Sequence, residues 1–336
     1  MTFNVDTTIT GIHSRSEATV KISRAFDRGR STKAELDRSF RLDASNLVKL
    51  QIESGLTRIS DGQMKWQDFI RPFSESLIGI KSGADLYRWY DTNSFYRKPS
   101  VIDEIGVPNR PFLASYEVLE SLKKVNPRLA KKKISLPGPY TLASLVAANQ
   151  RISTLELIEE FAKGLSKIIQ ILRSIGFQSV QINEPSLVYR YGESALTNKE
   201  HFKAFLNAFS LHLAKLPLEM YLHTQFGDCS GILNDLISLE GITCIGIDFT
   251  QTSLSDIEAC EFGEKSLGCG CVDGRNSLVE SPDWISKFCI EATKSLKPNG
   301  LVILPSCELK YLPRVYADEK IRAIGKASTI VRRKLK

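Results

Sequence analysis

The chain has 336 residues, of which 42% are hydrophobic and 25% are charged, the balance of a globular protein with enough material for a large core. Its formal net charge of +7 is suited to an anionic ligand, although a solvated basic surface is the simpler explanation for so small an excess. No apolar run reaches the roughly 18 residues of a membrane span, and the opening segment lacks the pattern of a secretion signal, so we expect a cytoplasmic protein that binds neither membranes nor nucleic acids.

Short strand-like runs alternate with longer amphipathic segments along the chain. Apolar or β-branched runs bounded by turn residues predict eight strands, at 7–12, 56–60, 133–136, 179–182, 219–222, 244–247, 266–272 and 301–304. Helical spacing of apolar residues predicts helices near 33–54, 154–175, 198–214, 229–239, 281–296 and 317–335. Alternating strands and helices build a parallel sheet, and eight such units predict one α/β domain over residues 1–336, a single (β/α)8 TIM barrel.

An extended segment follows the second predicted strand and is longer than one strand-to-helix connection. We expect residues 65–130 to hold extra helices and a loop, around residues 87–99, that lies over one mouth of the barrel. In this fold the functional groups lie at the carboxyl ends of the strands, where the βα loops begin.

Polar residues follow the predicted strands at matching positions. A barrel gathers such distant segments into one ring, so their recurrence predicts a functional site at the carboxyl ends of the strands. The strand ends read GIHSR at 11–15, DGQ at 61–63, PGPY at 137–140, NEP at 183–185, HTQ at 223–225, D at 248, DGRN at 273–276 and SCE at 306–308.

The acidic residues of this ring also have structural explanations. Asp61 and Asp273 each precede a glycine, and such pairs are common in turns. Glu184 lies beside the amide of Asn183, where it is placed to bind an ammonium group or accept a proton, yet the proline at 185 also ends a strand by itself.

The histidine and cysteine residues leave similar alternatives. His223 is explained equally well as a site residue or as a core histidine with its hydrogen bonds satisfied. Cys269 and Cys271 share one face of a strand in apolar surroundings, and with no clear partner ligands we expect them to pack as small hydrophobic residues rather than bind a metal. Seven cysteines in a chain of this size do not predict a disulfide framework.

Nine segments carry a resemblance that spans nearly the whole chain. In order they read TTITGIHSRSE, SGLTRISDGQMKWQDFIRPF, LYRWYDTNSFYRKP, LPGPYTLASL, VQINEPSLV, LHTQFGD, IGIDF, LGCGCVDGRNSL and LPSCELKYLP. Together they resemble the cobalamin-independent methionine synthases, and most closely the N-terminal half of that enzyme and its short archaeal members with one barrel. The resemblance implies a methyltransferase that moves a methyl group from a methylated folate, or from a corrinoid in some short members, to the thiolate of homocysteine.

The resemblance also implies a zinc ion that holds this thiolate. Zinc keeps a thiol deprotonated at neutral pH and leaves one coordination position open. The family's ligands are a His-x-Cys pair, a glutamate and a late cysteine, which assigns metal binding here to His223, Asp248 and Cys307. Gln225 stands where the cysteine of the pair is expected, and its neutral amide is a poor replacement for a thiolate.

Two acids of the family's homocysteine pocket are also amides in this chain, at Gln63 and Asn183. Charge-assisted hydrogen bonds contribute roughly 1.5–3 kcal/mol and neutral ones about 1, so homocysteine would bind more weakly or a different ligand is used. These substitutions favour an alternative function, a non-catalytic barrel that holds the methyl donor for a separate catalytic barrel. A barrel like uroporphyrinogen decarboxylase, acting on a corrinoid or porphyrin, is a third reading that the quoted segments disfavour.

The site prediction follows from these motifs. Catalytic roles are assigned to Asp61, Glu184 and Asp273. Substrate binding is assigned to His13, Ser14, Arg15, Lys21, Gln63, Asn183 and Arg275, with Arg15 and Lys21 placed to contact the anionic tail of a folate.

Overall fold

The structure is a computed structural model that describes residues 3–108, 130–148, 152–190, 194 and 196–335. Its strands, numbered in chain order, are β1 Asn4–Thr7, β2 Arg58–Ile59, β3 Ile78–Lys81, β4 Leu86–Arg88, β5 Phe95–Arg97, β6 Ser100–Gly106, β7 Lys131–Pro137, β8 Ser179–Asn183, β9 Glu219–His223, β10 Cys244–Asp248, β11 Ser266–Val272 and β12 Gly300–Pro305.

Eight of these strands form one parallel sheet that curls into a barrel, which confirms the predicted fold. Hydrogen-bonded neighbours follow the order β1-β12-β11-β10-β9-β8-β7-β2. The ring is completed where the backbone N–H of Thr57 donates to the carbonyl of Thr7 at 3.2 Å. Parallel strands all end at the same rim, so the polar strand ends meet there.

Helices connect the barrel strands and cover their outer faces. In chain order they are α1 Glu17–Asp27, α2 Lys33–Glu53, α3 Arg71–Ser76, α4 Pro139–Leu145, α5 Thr154–Ser174, α6 Lys199–His212, α7 Leu233–Ser238, α8 Pro282–Leu296 and α9 Arg314–Lys334. A capping box explains where α5 begins, because Ser153 accepts from the N–H of Glu156 while the Glu156 carboxylate accepts from the N–H of Ser153. No helix in these ranges is both long and apolar enough to cross a lipid bilayer.

The first strand ends earlier than the predicted range 7–12. Residues 8–12 are buried, but the chain has already left the sheet. Gly11 adopts a φ of 68°, and a Cβ atom there would lie 2.5 Å from Cζ of Phe69. Residues 8–12 are buried like strand residues, so their sequence pattern predicted a longer strand than the one that forms.

The segment after β2 differs from the prediction, since its described part contains mainly strands where extra helices were expected. β3 pairs with β6 and β4 with β5, each pair antiparallel, and the short α3 is the helix found between residues 65 and 108. The turn between β4 and β5 lies at the strand-end mouth, where Tyr90 stacks on Phe226 with ring centroids 5.3 Å apart. Residues 109–129 of the predicted segment lie outside the described ranges.

Candidate functional site at the barrel mouth

Glu184, at the end of β8, is held against the first turn of helix α4. One carboxylate oxygen accepts the N–H of Tyr140 at 3.0 Å, and the other accepts the N–H and hydroxyl of Thr141 at 2.7 and 2.6 Å. Gly138 permits this approach, since a Cβ atom there would lie 2.0 Å from Oε1 of Glu184. Complete burial raises the pKa of Glu184 to about 8, so this anchored group can hold or release a proton near neutral pH.

A chain of hydrogen bonds inside the barrel orients the amide of Asn183. Nζ of Lys133 donates to the carbonyl of Ile9 at 2.7 Å and to Oε1 of Gln181, and Nε2 of Gln181 donates to Oδ1 of Asn183 at 2.7 Å. Because Nζ of Lys133 donates to Oε1 of Gln181, it fixes which way both amides point. Nδ2 of Asn183 is thereby left buried with no hydrogen-bond partner within the described ranges.

Asp61 and Gln63 lie at the end of β2, and the structure gives Gln63 a backbone-binding role. Its Nε2 donates to the carbonyl of Ser135 at 3.0 Å, while its Oε1 accepts the N–H of Ser135 at 3.3 Å. A glutamate at this position would place a carboxylate oxygen against the carbonyl oxygen of Ser135, with no proton to share between them. This explains why the residue is an amide. Asp61 accepts the N–H of Gln63 at 2.9 Å, and burial raises the pKa of Asp61 to about 6.

The ends of β9 and β12 meet across the mouth. Nε2 of His223 lies 2.8 Å from the carbonyl of Ser306, so this nitrogen carries the proton and the buried Nδ1 is left without a partner in the described structure. Burial lowers the pKa of His223 to about 4, which makes the ring neutral at physiological pH. Nε2 of Gln225 donates to Glu308 at 3.1 Å, and the hydroxyl of Tyr311 donates to the other oxygen of Glu308 at 3.0 Å.

The predicted metal ligands His223, Asp248 and Cys307 do not form a close-set group within the described residues. Both oxygens of Asp248 are occupied, by the N–H and hydroxyl of Thr250 and by the N–H of Phe226. Among the described residues, one group of three or more histidine, cysteine or acidic side chains has its ligand atoms within 4.8 Å of one another, and it contains none of His223, Asp248 and Cys307. Gln225 hydrogen-bonds Glu308 instead, so the mouth as built does not fit a zinc ion.

Asp273 and Arg275, in the turn after β11, have different contacts. Asp273 accepts the N–H of Arg275 at 2.8 Å, a local turn contact, and its own N–H donates to Glu280. The Arg275 guanidinium lies 5.6 Å from the centroid of the Phe226 ring and 3.4 Å from the hydroxyl of Thr250. Arg275 therefore faces the mouth, whereas the described contacts of Asp273 are those of a turn residue.

His13, Ser14, Arg15 and Lys21 line a separate cavity of about 940 Å³ beside the end of β1. Three of the four are occupied by structural contacts. Nε2 of His13 lies 3.0 Å from Oδ1 of Asp318, the hydroxyl of Ser14 donates to the carbonyl of Leu309, and Arg15 donates to the carbonyls of Met64 and Trp66. Burial lowers the pKa of His13, so a neutral ring lies in this wall.

Positive charge dominates the wall of this cavity. Lys21 and Arg24 stand one turn apart on α1, and within the described ranges neither has an ion pair. The charged residues of the lining are Arg15, Lys21, Arg24, Lys310, Arg314, Arg322, Glu17 and Asp318. Six cations against two acids make the cavity suited to a ligand with several carboxylates.

Three residues at or below the mouth were missed by the sequence analysis. Lys133 lies inside a run with the pattern of an ordinary strand. Tyr90, which hydrogen-bonds Ser186 at 2.6 Å, lies in the loop predicted over the mouth at residues 87–99, but no role was predicted for it. Glu308 follows β12 in the polar triplet at 306–308 but received no role. The strand-end position of Glu308 and the predicted loop around Tyr90 were usable signals, whereas nothing in the local sequence marks Lys133.

Comparison with known protein families gives a match over more than half of the chain. The family model described as the N-terminal domain of the cobalamin-independent synthases matches residues 80–288. Among curated proteins, a methionine synthase from Sulfolobus acidocaldarius is 24% identical over 98% of this chain and 93% of its own length. A methionine synthase from Saccharolobus solfataricus is 23% identical over 98% of this chain and 96% of its own.

Solved structures give the same fold. A B12-independent methionine synthase from Shewanella sp. W3-18-1, in complex with selenomethionine, superposes with a TM-score of 0.79 at 18% identity, covering 99% of both chains. A putative vitamin-B12-independent methionine synthase from Listeria monocytogenes gives 0.76 at 16% identity, covering 98% of this chain and 99% of its own. A methyltransferase from Methanosarcina mazei gives 0.61 at 15% identity, covering 99% of this chain and 94% of its own.

Proposed function

The chain belongs to the family of cobalamin-independent methionine synthases, and from this premise we propose that it serves the transfer of a methyl group from a methylated folate to the sulfur of homocysteine. The observation that carries the choice of donor is the basic cavity beside the end of β1. A folate with several glutamate residues carries several carboxylates, and such a tail complements the six cations of the lining. A corrinoid donor offers no comparable polyanionic tail.

Lys21 and Arg24 are the cations best placed to bind this tail. Arg15 and Arg314 already donate to backbone carbonyls or to Asp318, so their guanidinium groups are partly committed. Lys21 is exposed on α1 and free to move toward a ligand. Each ion pair formed there is solvent-screened, so we expect affinity for the tail to fall as ionic strength rises.

The mouth offers complementary groups for an amino acid. The buried Nδ2 of Asn183 is a donor that suits a carboxylate oxygen, and an ammonium group is suited to Asp61 or Glu308. Burial raises the pKa of Asp61 to about 6, so most of it is ionised at neutral pH. Glu184, anchored beside Asn183, is the group that can take up or deliver a proton during the transfer.

A second candidate role is favoured by one observation. Among the described residues, His223, Asp248 and Cys307 do not form a close-set group of ligands that could hold the homocysteine sulfur as a thiolate. We also propose that the barrel holds the folate for a separate catalytic barrel, which would supply the ligands that activate the homocysteine sulfur. Both roles use the same donor cavity. They differ in whether the chain catalyses methyl transfer by itself or only together with a second barrel.

The deciding experiment measures methionine formation by the purified full chain with homocysteine and a methylated triglutamyl folate. Assays are run with the chain alone, with a catalytic barrel of the same family added, and with methylcobalamin as donor. Turnover by the chain alone supports the enzyme; turnover that needs the second barrel supports the donor-holding role. No binding of the folate in either setting refutes both, and turnover with methylcobalamin alone refutes the choice of donor.

Charge reversal tests the donor cavity itself. We expect Lys21→Glu combined with Arg24→Glu to weaken the binding of triglutamyl folate by about tenfold or more, because two ion pairs of up to about 1 kcal/mol become repulsions. The affinity for monoglutamyl folate should change little. Lys167→Glu, an exposed lysine of α5, is the matched control. Equal loss for the two folates would place the tail elsewhere.

A further inference from the structure

Three cysteines form a triangle on the outer side of the barrel wall. Cys269 and Cys271 lie two residues apart on β11, so their side chains share the face that packs against α8, and α8 contributes Cys289. Their sulfur atoms all lie within 4.8 Å of one another, and those of Cys269 and Cys289 are 3.6 Å apart. We propose that Cys269, Cys271 and Cys289 form a site for a soft, thiophilic metal ion, separate from the barrel mouth.

The spacing of the triangle fits three thiolates around one ion. With metal–sulfur bonds of about 2.3 Å, tetrahedral angles place two sulfurs about 3.8 Å apart and a flat trigonal arrangement places them about 4.0 Å apart. The 3.6 Å between the sulfurs of Cys269 and Cys289 is close to these values, and the other two distances are no more than 4.8 Å. The ligands come from two elements that already pack together, so the backbone is preorganised for them.

The chemistry of the site selects the class of ion. Thiolates are soft ligands that prefer Zn²⁺ and Cu(I) to the hard cations. The three side chains are 0%, 4% and 0% exposed, and no further histidine, cysteine or carboxylate within the described ranges joins the group. Three thiolates leave a net charge of −1 with Zn²⁺ and −2 with Cu(I). Because a smaller buried charge costs less, burial favours Zn²⁺. The described residues provide no fourth side-chain ligand, which favours three-coordinate Cu(I).

The position of the triangle suggests what a bound ion does. β11 ends at Val272, and the turn that carries Asp273 and Arg275 to the mouth follows directly. An ion that ties β11 to α8 would stiffen the two elements on either side of this turn, although it lies outside the barrel. We expect the ion to be structural, because the sulfurs are buried between β11 and α8.

Metal binding by the full chain tests the proposal. After removal of metal under reducing conditions, the protein is titrated separately with Zn²⁺ and with Cu(I), and binding is followed by native mass spectrometry and chelator competition. We expect one equivalent of one of these ions to bind, and a concentration of about 100 times its Kd to raise the Tm by about 4 °C. Which ion binds more tightly decides between the two coordination modes.

Variants locate the ion. Loss of an outer-shell partner alone weakens metal sites by about 10–100-fold, so Cys289→Ala and Cys271→Ala should each weaken binding at least about 100-fold. Cys244→Ala, a buried strand cysteine outside the triangle, and Cys307→Ala, at the mouth, should leave affinity unchanged. Cys289→Ser serves as a second variant if the alanine form does not fold.

Two results overturn the proposal. The first is that neither ion binds the wild-type protein at one equivalent, in which case the three thiols pack as hydrophobic groups. The second is that Cys307→Ala abolishes binding while Cys289→Ala does not, which places the metal at the mouth.

Discussion

Lys133 is a fully buried lysine with no acidic hydrogen-bond partner among the described residues, and it makes the stability of the barrel depend on pH. Its ammonium group donates to the carbonyl of Ile9 and to Gln181. Burial lowers the pKa of Lys133 from 10.5 to about 7. Between pH 7 and 10.5 the unfolded chain therefore holds this proton more strongly than the folded one, and stability contributed by this group rises with pH across that window.

The size of the effect follows from these two pKa values. At pH 7 the shift costs the folded state about 4 kcal/mol, and at pH 9 about 2 kcal/mol, so the change over this interval is about 2 kcal/mol. With an unfolding entropy of about 2.1 cal/mol/K per residue, the Tm changes by about 3 °C. Lys133→Met should remove this dependence, although the loss of two hydrogen bonds offsets part of the gain at pH 7.

The assay is thermal and chemical unfolding of wild type and Lys133→Met from pH 6 to 9.5. Other groups titrate in the same range, Glu184 with the opposite sign, so the quantity compared is the difference between the two proteins at each pH. Lys132→Met, on the opposite face of β7, is the control and should keep the wild-type profile. Parallel pH profiles for wild type and Lys133→Met would refute the reasoning.

Three further predictions concern the mouth. Asn183→Asp replaces the unpaired donor with an acceptor. It should weaken the binding of 4-mercaptobutyrate, which keeps only the carboxylate of homocysteine, by about tenfold, and should not weaken the binding of 3-aminopropanethiol, which keeps only the ammonium group. Calorimetry showing the reverse would assign Asn183 to the ammonium group. Gly138→Ala should displace Glu184 and lower stability by about 1–3 kcal/mol in denaturant unfolding, whereas an unchanged midpoint would mean the clash is relieved cheaply. Gln225→Cys should not create a zinc site in a Cys289→Ala background, because Asp248 stays occupied by its hydrogen bonds; one equivalent of zinc at the mouth would contradict this.

The barrel was predictable because its signal repeats. Each strand end adds an independent observation of the same kind, so an error at one strand leaves the eight-unit pattern intact. The segment 65–130 has no such repetition, and its short edge strands β3 to β6 are held by contacts with the mouth, such as that of Tyr90 with Phe226. Tertiary contacts of this kind override local preference and leave no periodic trace.

The site was predictable by position but not by role. Glu184, Asp61, His223 and Asp248 lie at the strand ends, as expected. The roles of Glu184 and His223 depend on hydrogen bonds to residues distant in sequence, such as that between His223 and the carbonyl of Ser306, and no local pattern encodes those. The same holds for the cysteine triangle, because Cys289 reaches the pair on β11 only after α8 packs on the strand.

The polarity of the mouth connects these observations to function. Lys133, acting through Gln181, turns the amide of Asn183 so that a donor is left unpaired within the described residues. A carboxylate at that position could offer only acceptors. The cavity beside β1 also presents donors and positive charge. The unpaired donor of Asn183 and the basic cavity both suit anionic groups, so the carboxylate of homocysteine and the tail of the folate are the groups that we expect them to hold.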